Sequence, residues 1–147
     1  MPASDTALHF QGINSDSSLS TLCRAAVDPA DLQLVSLCRG SNLELAVDYF
    51  KHEQVGPFFT LITIDSRRKF YADLALGLPH MLGPFRRLVR STVGGQLVRV
   101  TLDVEQGAVY YYRLNSTDYL VGVTLDQNQV SVADEKMALL AHKCREL

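Results

Sequence analysis

Leu97-Val98-Arg99-Val100-Thr101-Leu102-Asp103-Val104, Ala108-Val109-Tyr110-Tyr111-Tyr112-Arg113-Leu114 and Tyr119-Leu120-Val121-Gly122-Val123-Thr124-Leu125 follow one another between residues 96 and 147, and their reading decides the fold. In the first run Val98, Val100, Leu102 and Val104 alternate with Arg99, Thr101 and Asp103. A period of two predicts a strand with one buried and one polar face. Gln106-Gly107 turns the chain. The second run places Tyr110 and Tyr112 on one face and Val109, Tyr111 and Arg113 on the other. After the polar Asn115-Ser116-Thr117-Asp118, the third run sets Tyr119, Val121, Val123 and Leu125 opposite Leu120, Gly122 and Thr124. Gly122 inside a strand predicts close approach by another backbone. Ser131-Val132-Ala133-Asp134 then reads as a capping box, opening a helix with Ala133, Met137, Leu140, Ala141 and Cys144 along one stripe. Asp134, Glu135, Lys136, Lys143 and Arg145 fall on its wet side.

Working upstream, residues 84–93 read as a short helix with Phe85, Leu88, Val89 and Thr92 inward and Arg86, Arg87 and Arg90 outward, ended by Gly94-Gly95. Residues 79–83 are a connector. Residues 57–65, Pro-Phe-Phe-Thr-Leu-Ile-Thr-Ile-Asp, are rich in β-branched and aromatic side chains and suit a strand covered on both faces. Residues 70–76 return as its hairpin partner, against the competing helical spacing of Phe70, Leu74, Ala75 and Leu78. Three short helices come before them. The first, over 18–27, carries Leu19, Leu22, Cys23 and Ala26 on one stripe. The second begins at Asp28-Pro29 and stops at Gly40. The third opens on a Ser41-Asn42-Leu43-Glu44 capping box and ends before Gly56-Pro57. Residues 1–17 are polar, with scattered Leu8, Phe10 and Ile13, and read as a flexible arm. The fold class is α+β: one domain over 18–147, with a five-stranded, mainly antiparallel sheet and helices on its faces.

With 147 residues, one core is expected, since a domain of this size buries roughly 70% of its unfolded surface. An apolar share of 47% and a charged share of 20% are too apolar for a disordered chain. A net charge of -2 supplies no general attraction to phosphate backbones, so no nucleic-acid partner is expected. Cys23, Cys38 and Cys144 are widely spaced and form no CxxC pair, which predicts reduced thiols rather than a disulfide framework or zinc site. No run approaches the roughly 18 apolar residues of a membrane helix. The first eighteen residues lack the basic and apolar segments of an export signal, so a cytoplasmic chain is expected.

Ile62-Thr63-Ile64-Asp65, Val100-Thr101-Leu102-Asp103 and Val123-Thr124-Leu125-Asp126 each end in Asp. Three carboxylates suit a divalent cation, yet Asp103 and Asp126 end strands separated by a third, about 9 to 10 Å apart by strand spacing. Turn formation explains them better, and no metal or cofactor is expected. His9, His52, His80 and His142 sit at no ligand spacing, and no nucleotide-binding or hydrolase motif occurs, so no residue receives a catalytic role. Arg86, Arg87 and Arg90, with Arg67, Arg68 and the adjacent Lys69, are the best basic patch for an acidic protein surface or a phosphate group. Tyr110, Tyr112 and His80 are the candidate lining of a pocket between sheet and helices.

From about residue 57 the expected order of strand, strand, helix, three meandering strands and helix resembles the profilin-like α/β/α layout of longin and roadblock-type domains. The likeness is strongest where Tyr119-Leu120-Val121-Gly122-Val123-Thr124-Leu125-Asp126 leads into the final helix. It covers roughly ninety residues and rests on topology. The resemblance implies a non-enzymatic scaffold that homo- or heterodimerises and contacts small GTPases or trafficking complexes; no binding residue transfers with it. Two other classes stay open: a small-ligand-binding or chaperone-like domain with a pocket, and an enzyme whose site assembles only on folding.

Overall fold

Six strands pair antiparallel into a single sheet, and the computed structural model describes it through residues 7–12, 16–58 and 62–147. In chain order the strands are β1 (His9–Gly12), β2 (Leu34–Arg39), β3 (Asn42–Asp48), β4 (Arg99–Val104), β5 (Gly107–Arg113) and β6 (Asp118–Thr124). Their spatial order is β1-β3-β2-β6-β5-β4. The helices are α1 (Ser18–Ala26), α2 (Ile64–Met81), α3 (Gly83–Thr92) and α4 (Val130–Arg145). The sheet therefore has six strands rather than five, and the three strands of the opening stretch lie where their alternation put them.

The upstream strands come from a different part of the sequence than expected. The second and third expected helices are absent from the described residues: 28–33 turn the chain, and Leu34–Arg39 and Asn42–Asp48 form the β2–β3 hairpin. Asp28 accepts a hydrogen bond from the Ala30 amide and Asp31 one from the Leu32 amide, so these carboxylates shape a turn instead of capping a helix. Leu34, Val35, Leu37 and Cys38 are then buried on both sides of a strand held between β3 and β6. Gly40, at φ +62°, makes the hairpin turn and takes the Ser41-Glu44 segment out of reach of a helix start. Long-range pairing on two sides overrode a strong local capping signal.

The hairpin expected over 57–76 is also overturned. Gly56–Phe58 form one 3₁₀ turn, and Ile64–Met81 form α2, while 59–61 of the expected strand lie outside the described residues. The Thr63 hydroxyl accepts from the Ser66 amide and caps the helix. Tyr71, Ala75, Leu78 and Leu82 turn toward the sheet at helical spacing, so the competing reading of this segment was the right one. Pro79 is inside α2, and the connector shrinks to Leu82 between α2 and α3. Within the polar 1–17 stretch, His9–Gly12 pair with Leu45–Asp48 of β3 as an edge strand.

One face of the sheet carries Val35, Leu37, Leu45, Val47, Tyr110, Tyr112 and Leu120, and is covered by α1 and α4. On that face Ala133, Met137, Leu140, Ala141 and Cys144 of α4 are all buried. Gly122 is needed there, but not for a backbone: a Cβ at this position would meet the Met137 sulfur at 2.5 Å. The expected Ser131 box does not form, because α4 begins at Val130 with Gln129 as its cap. Asp134 instead accepts a 2.5 Å hydrogen bond from the Tyr112 hydroxyl, anchoring the helix to the sheet.

Candidate interaction surface

The second face of the sheet is built from Leu34, Ser36 and Cys38 of β2, Val109 and Tyr111 of β5, Tyr119, Val121 and Val123 of β6, and Val100, Leu102 and Val104 of β4. Helix α2 covers the β2, β3 and β6 side of it. Arg68 fastens it there by a two-pronged ion pair to Asp48, at 2.8 and 3.0 Å, and Tyr119 donates a 2.7 Å hydrogen bond to the Ala75 carbonyl. Cys38, Ala75, Leu78, Leu82, Tyr111, Tyr119 and Val121 close a compact second core under it. Burial pushes the Tyr119 phenol well above its ordinary value, helped by Cys38 beside it.

Among the described residues no comparable cover lies over β4. Leu102 and Val104 are 42% and 58% exposed, although both point to the same side as buried Tyr111. The alternation of 98–104 is real, but of its apolar face only Val100 packs on the second core, and Val98, Leu102 and Val104 stay exposed among the described residues. Helix α3 likewise differs from expectation: Phe85 and Leu88, placed inward by their spacing, are 61% and 60% exposed. Its Ser91 and Thr92 hydroxyls bond back to its own carbonyls. Phe70 and Met81 of α2 and Val93 and Val98 beside α3 and β4 add to the exposed apolar surface. Isolated apolar side chains at a surface mean little; an amphipathic helix and an edge-strand face that both leave apolar side chains open are the candidate interaction surface. At one end of the open face lies a recess of about 420 Å³ between Phe58, Tyr71, Val104, Val109, Val123 and Leu125.

The basic residues divide. Arg87 and Arg90 are exposed on α3 and Arg86 is half-buried near Tyr111, whose phenol burial raises and Arg86 lowers. Arg68 is committed to Asp48 and also pairs with Asp65 at 3.5 Å, and Arg67 hydrogen-bonds Tyr71 at 3.4 Å. The five arginines therefore do not form one free patch. The pocket trio separates too: Tyr110 and Tyr112 are buried under α4, where they bond the Val130 carbonyl and Asp134, while His80 is exposed on α2 across the sheet. Strand alternation put the two tyrosines together correctly, and the misread α2 put His80 beside them.

Of the three repeated aspartates, Asp65 sits in the first turn of α2, Asp103 accepts from Gln127, and Asp126 caps the Asn128 amide. Among the described residues no group of three His, Cys, Asp or Glu side chains gathers, and no helix is long and apolar enough to cross a membrane. The residues that reasoning from sequence missed are the outward apolar ones, Phe85, Leu88, Leu102 and Val104. Their amphipathic pattern was visible; what covers them was not.

No protein-family model matches the sequence, and no curated protein matches it. Solved structures do match in shape. A roadblock/LC7 domain from Streptomyces avermitilis aligns with TM-score 0.57 at 18% identity, over 88% of this chain and 97% of that one. MglB from Myxococcus xanthus aligns with TM-score 0.62 at 11% identity, over 90% and 96%. The chain has a roadblock/longin-type fold. The likeness extends beyond the roughly ninety residues expected, because one helix, α1, precedes the β2–β3 hairpin where three had been expected.

Proposed function

We propose that the chain is a non-enzymatic interaction domain that pairs with a second copy of itself through the open half of the second sheet face and the free edge of β4. One observation carries the reading: that half-face is apolar and lies at the sheet edge, and among the described residues no helix covers it as one covers its neighbour strands. A second copy supplies both missing elements at once, a strand to pair with β4 and apolar helix surface to lie on Leu102 and Val104. The roadblock/longin-type fold supports an interaction role and supplies the expectation of a small GTPase or trafficking complex as further partner. Arg86, Arg87 and Arg90 of α3 are the proposed contact for an acidic patch on that partner.

Size-exclusion chromatography with light scattering tests the pairing. The expected result is a dimer in the wild type and a monomer, still folded by circular dichroism, in Leu102→Glu and Val104→Glu. A wild type that stays monomeric and recovers no protein partner in a pull-down overturns it. The recess beside Tyr71 supports a second reading, a small-ligand-binding domain; a strong thermal shift with a small molecule in a strictly monomeric protein would select it.

A further inference from the structure

Folding joins two cysteines that the sequence holds far apart. Cys23 lies on the buried stripe of α1 and Cys144 in the last turn of α4, and both belong to the core beneath those helices. Cys23 and Cys144 face each other where α1 packs on α4, and no bond joins the sulfurs. Cys23 is fully buried, whereas Cys144 keeps 8% of its surface exposed, two residues before the helix cap at Glu146. A helix end frays more easily than its middle, so Cys144 is the sulfur an oxidant reaches first. The neighbouring Cys23 thiol and the Arg145 charge favour its thiolate, outweighing the opposing effect of burial. Cys38 sits on the other face of the sheet, beside Tyr119, and is the internal control.

We propose that Cys23 and Cys144 are a thiol–disulfide modification site, oxidised by peroxides to an intramolecular bond that fastens α1 to α4. In the first step the Cys144 thiolate attacks one peroxide oxygen, the O–O bond breaks, and Cys144 becomes a sulfenic acid as hydroxide leaves and is protonated to water. In the second, the Cys23 thiol loses its proton and attacks the Cys144 sulfur; the S–O bond breaks, a second water leaves and the S–S bond forms. Two thiols and one hydrogen peroxide give one disulfide and two waters. The bond joins the two helices that cover the closed face, and leaves the open face untouched.

The test uses the full chain, reduced, desalted and treated while folded with hydrogen peroxide. Thiols titrated afterwards in denaturant should fall from three to one, with an intact mass lower by about 2 Da. Non-reducing peptide mapping should join the Cys23 and Cys144 peptides, and dithiothreitol should restore all the thiols. Cys38→Ser should leave the link intact; Cys23→Ser and Cys144→Ser should each abolish it. Three thiols surviving treatment, oxygen added at Cys144 without a link, a bond involving Cys38, or a link formed only in denaturant would each overturn the proposal. None of these readouts depends on whether the protein dimerises.

Discussion

The two faces of one sheet are finished in opposite ways. On the first, α1 and α4 cover the strands from β3 to β5, and Tyr110, Tyr112 and Lys136 fasten α4 with side-chain hydrogen bonds and an ion pair to Asp31. On the second, α2 covers half and is fastened by Arg68 and Tyr119, while α3 and β4 turn apolar side chains to solvent. The polar ties mark the difference. Where a helix has its final neighbours, polar tips find partners in the chain; where they run out, the apolar surface continues without them. A face whose packing stops before its apolar pattern does is the part of the fold to which interaction is assigned.

The largest effect should come from the tie at the border between covered and open surface. Arg68→Ala leaves the buried Asp48 carboxylate without its cation, and should cost about 3 to 5 kcal/mol in denaturant unfolding; a loss under about 1 kcal/mol would show that α2 is held by packing alone. Next comes a matched pair of truncations. Leu120→Ala, on the closed face at 0% exposure, should cost about 2 to 5 kcal/mol. Leu102→Ala on the open face should cost the monomer less than about 0.5 kcal/mol, and equal losses at the two sites would erase the contrast between the faces. Tyr119→Phe removes one buried hydrogen bond to Ala75 and should cost about 1 kcal/mol with little change in the denaturant slope.

The smallest effect is a dependence on pH at the end of the sheet. Burial works to raise the Asp118 carboxyl, but hydrogen bonds from Asn115 and Thr117 and the Arg39 charge outweigh it and hold the group below its ordinary value. A carboxyl lowered by folding stabilises fully above its unfolded value, and that contribution fades as pH falls through the folded one. At this partly exposed rim it should be under about 1 kcal/mol. Asp118→Asn should lower neutral-pH stability and flatten the acid limb of the unfolding curve; parallel limbs in the two proteins would remove Asp118 from the account.

How much could be read in advance depended on the range of the forces involved. Over 96–147 each element announces itself within a few residues, and the strand alternation, the turns and the α4 core stripe all appear where the sequence placed them. Over 28–81 local and distant preferences disagree. Ser41 and Glu44 have the spacing of a helix cap, yet their segment pairs with β2 and β1. The apolar run at 34–38 reads as a helix face until it is known to lie between two strands. Thr63 and the arginines after it read as a strand end and turn until Asp48, distant in sequence, receives Arg68.

By itself the sequence determined an α+β domain, the meander and final helix at its C-terminal end, and a profilin-like likeness, because period-two and period-3.6 patterns are local consequences of backbone geometry. Tertiary structure alone decided which apolar faces are covered, that His80 is parted from Tyr110 and Tyr112, and that Cys23 meets Cys144. Periodicity says that a face is apolar; only the arrangement of the other elements says what, if anything, lies against it.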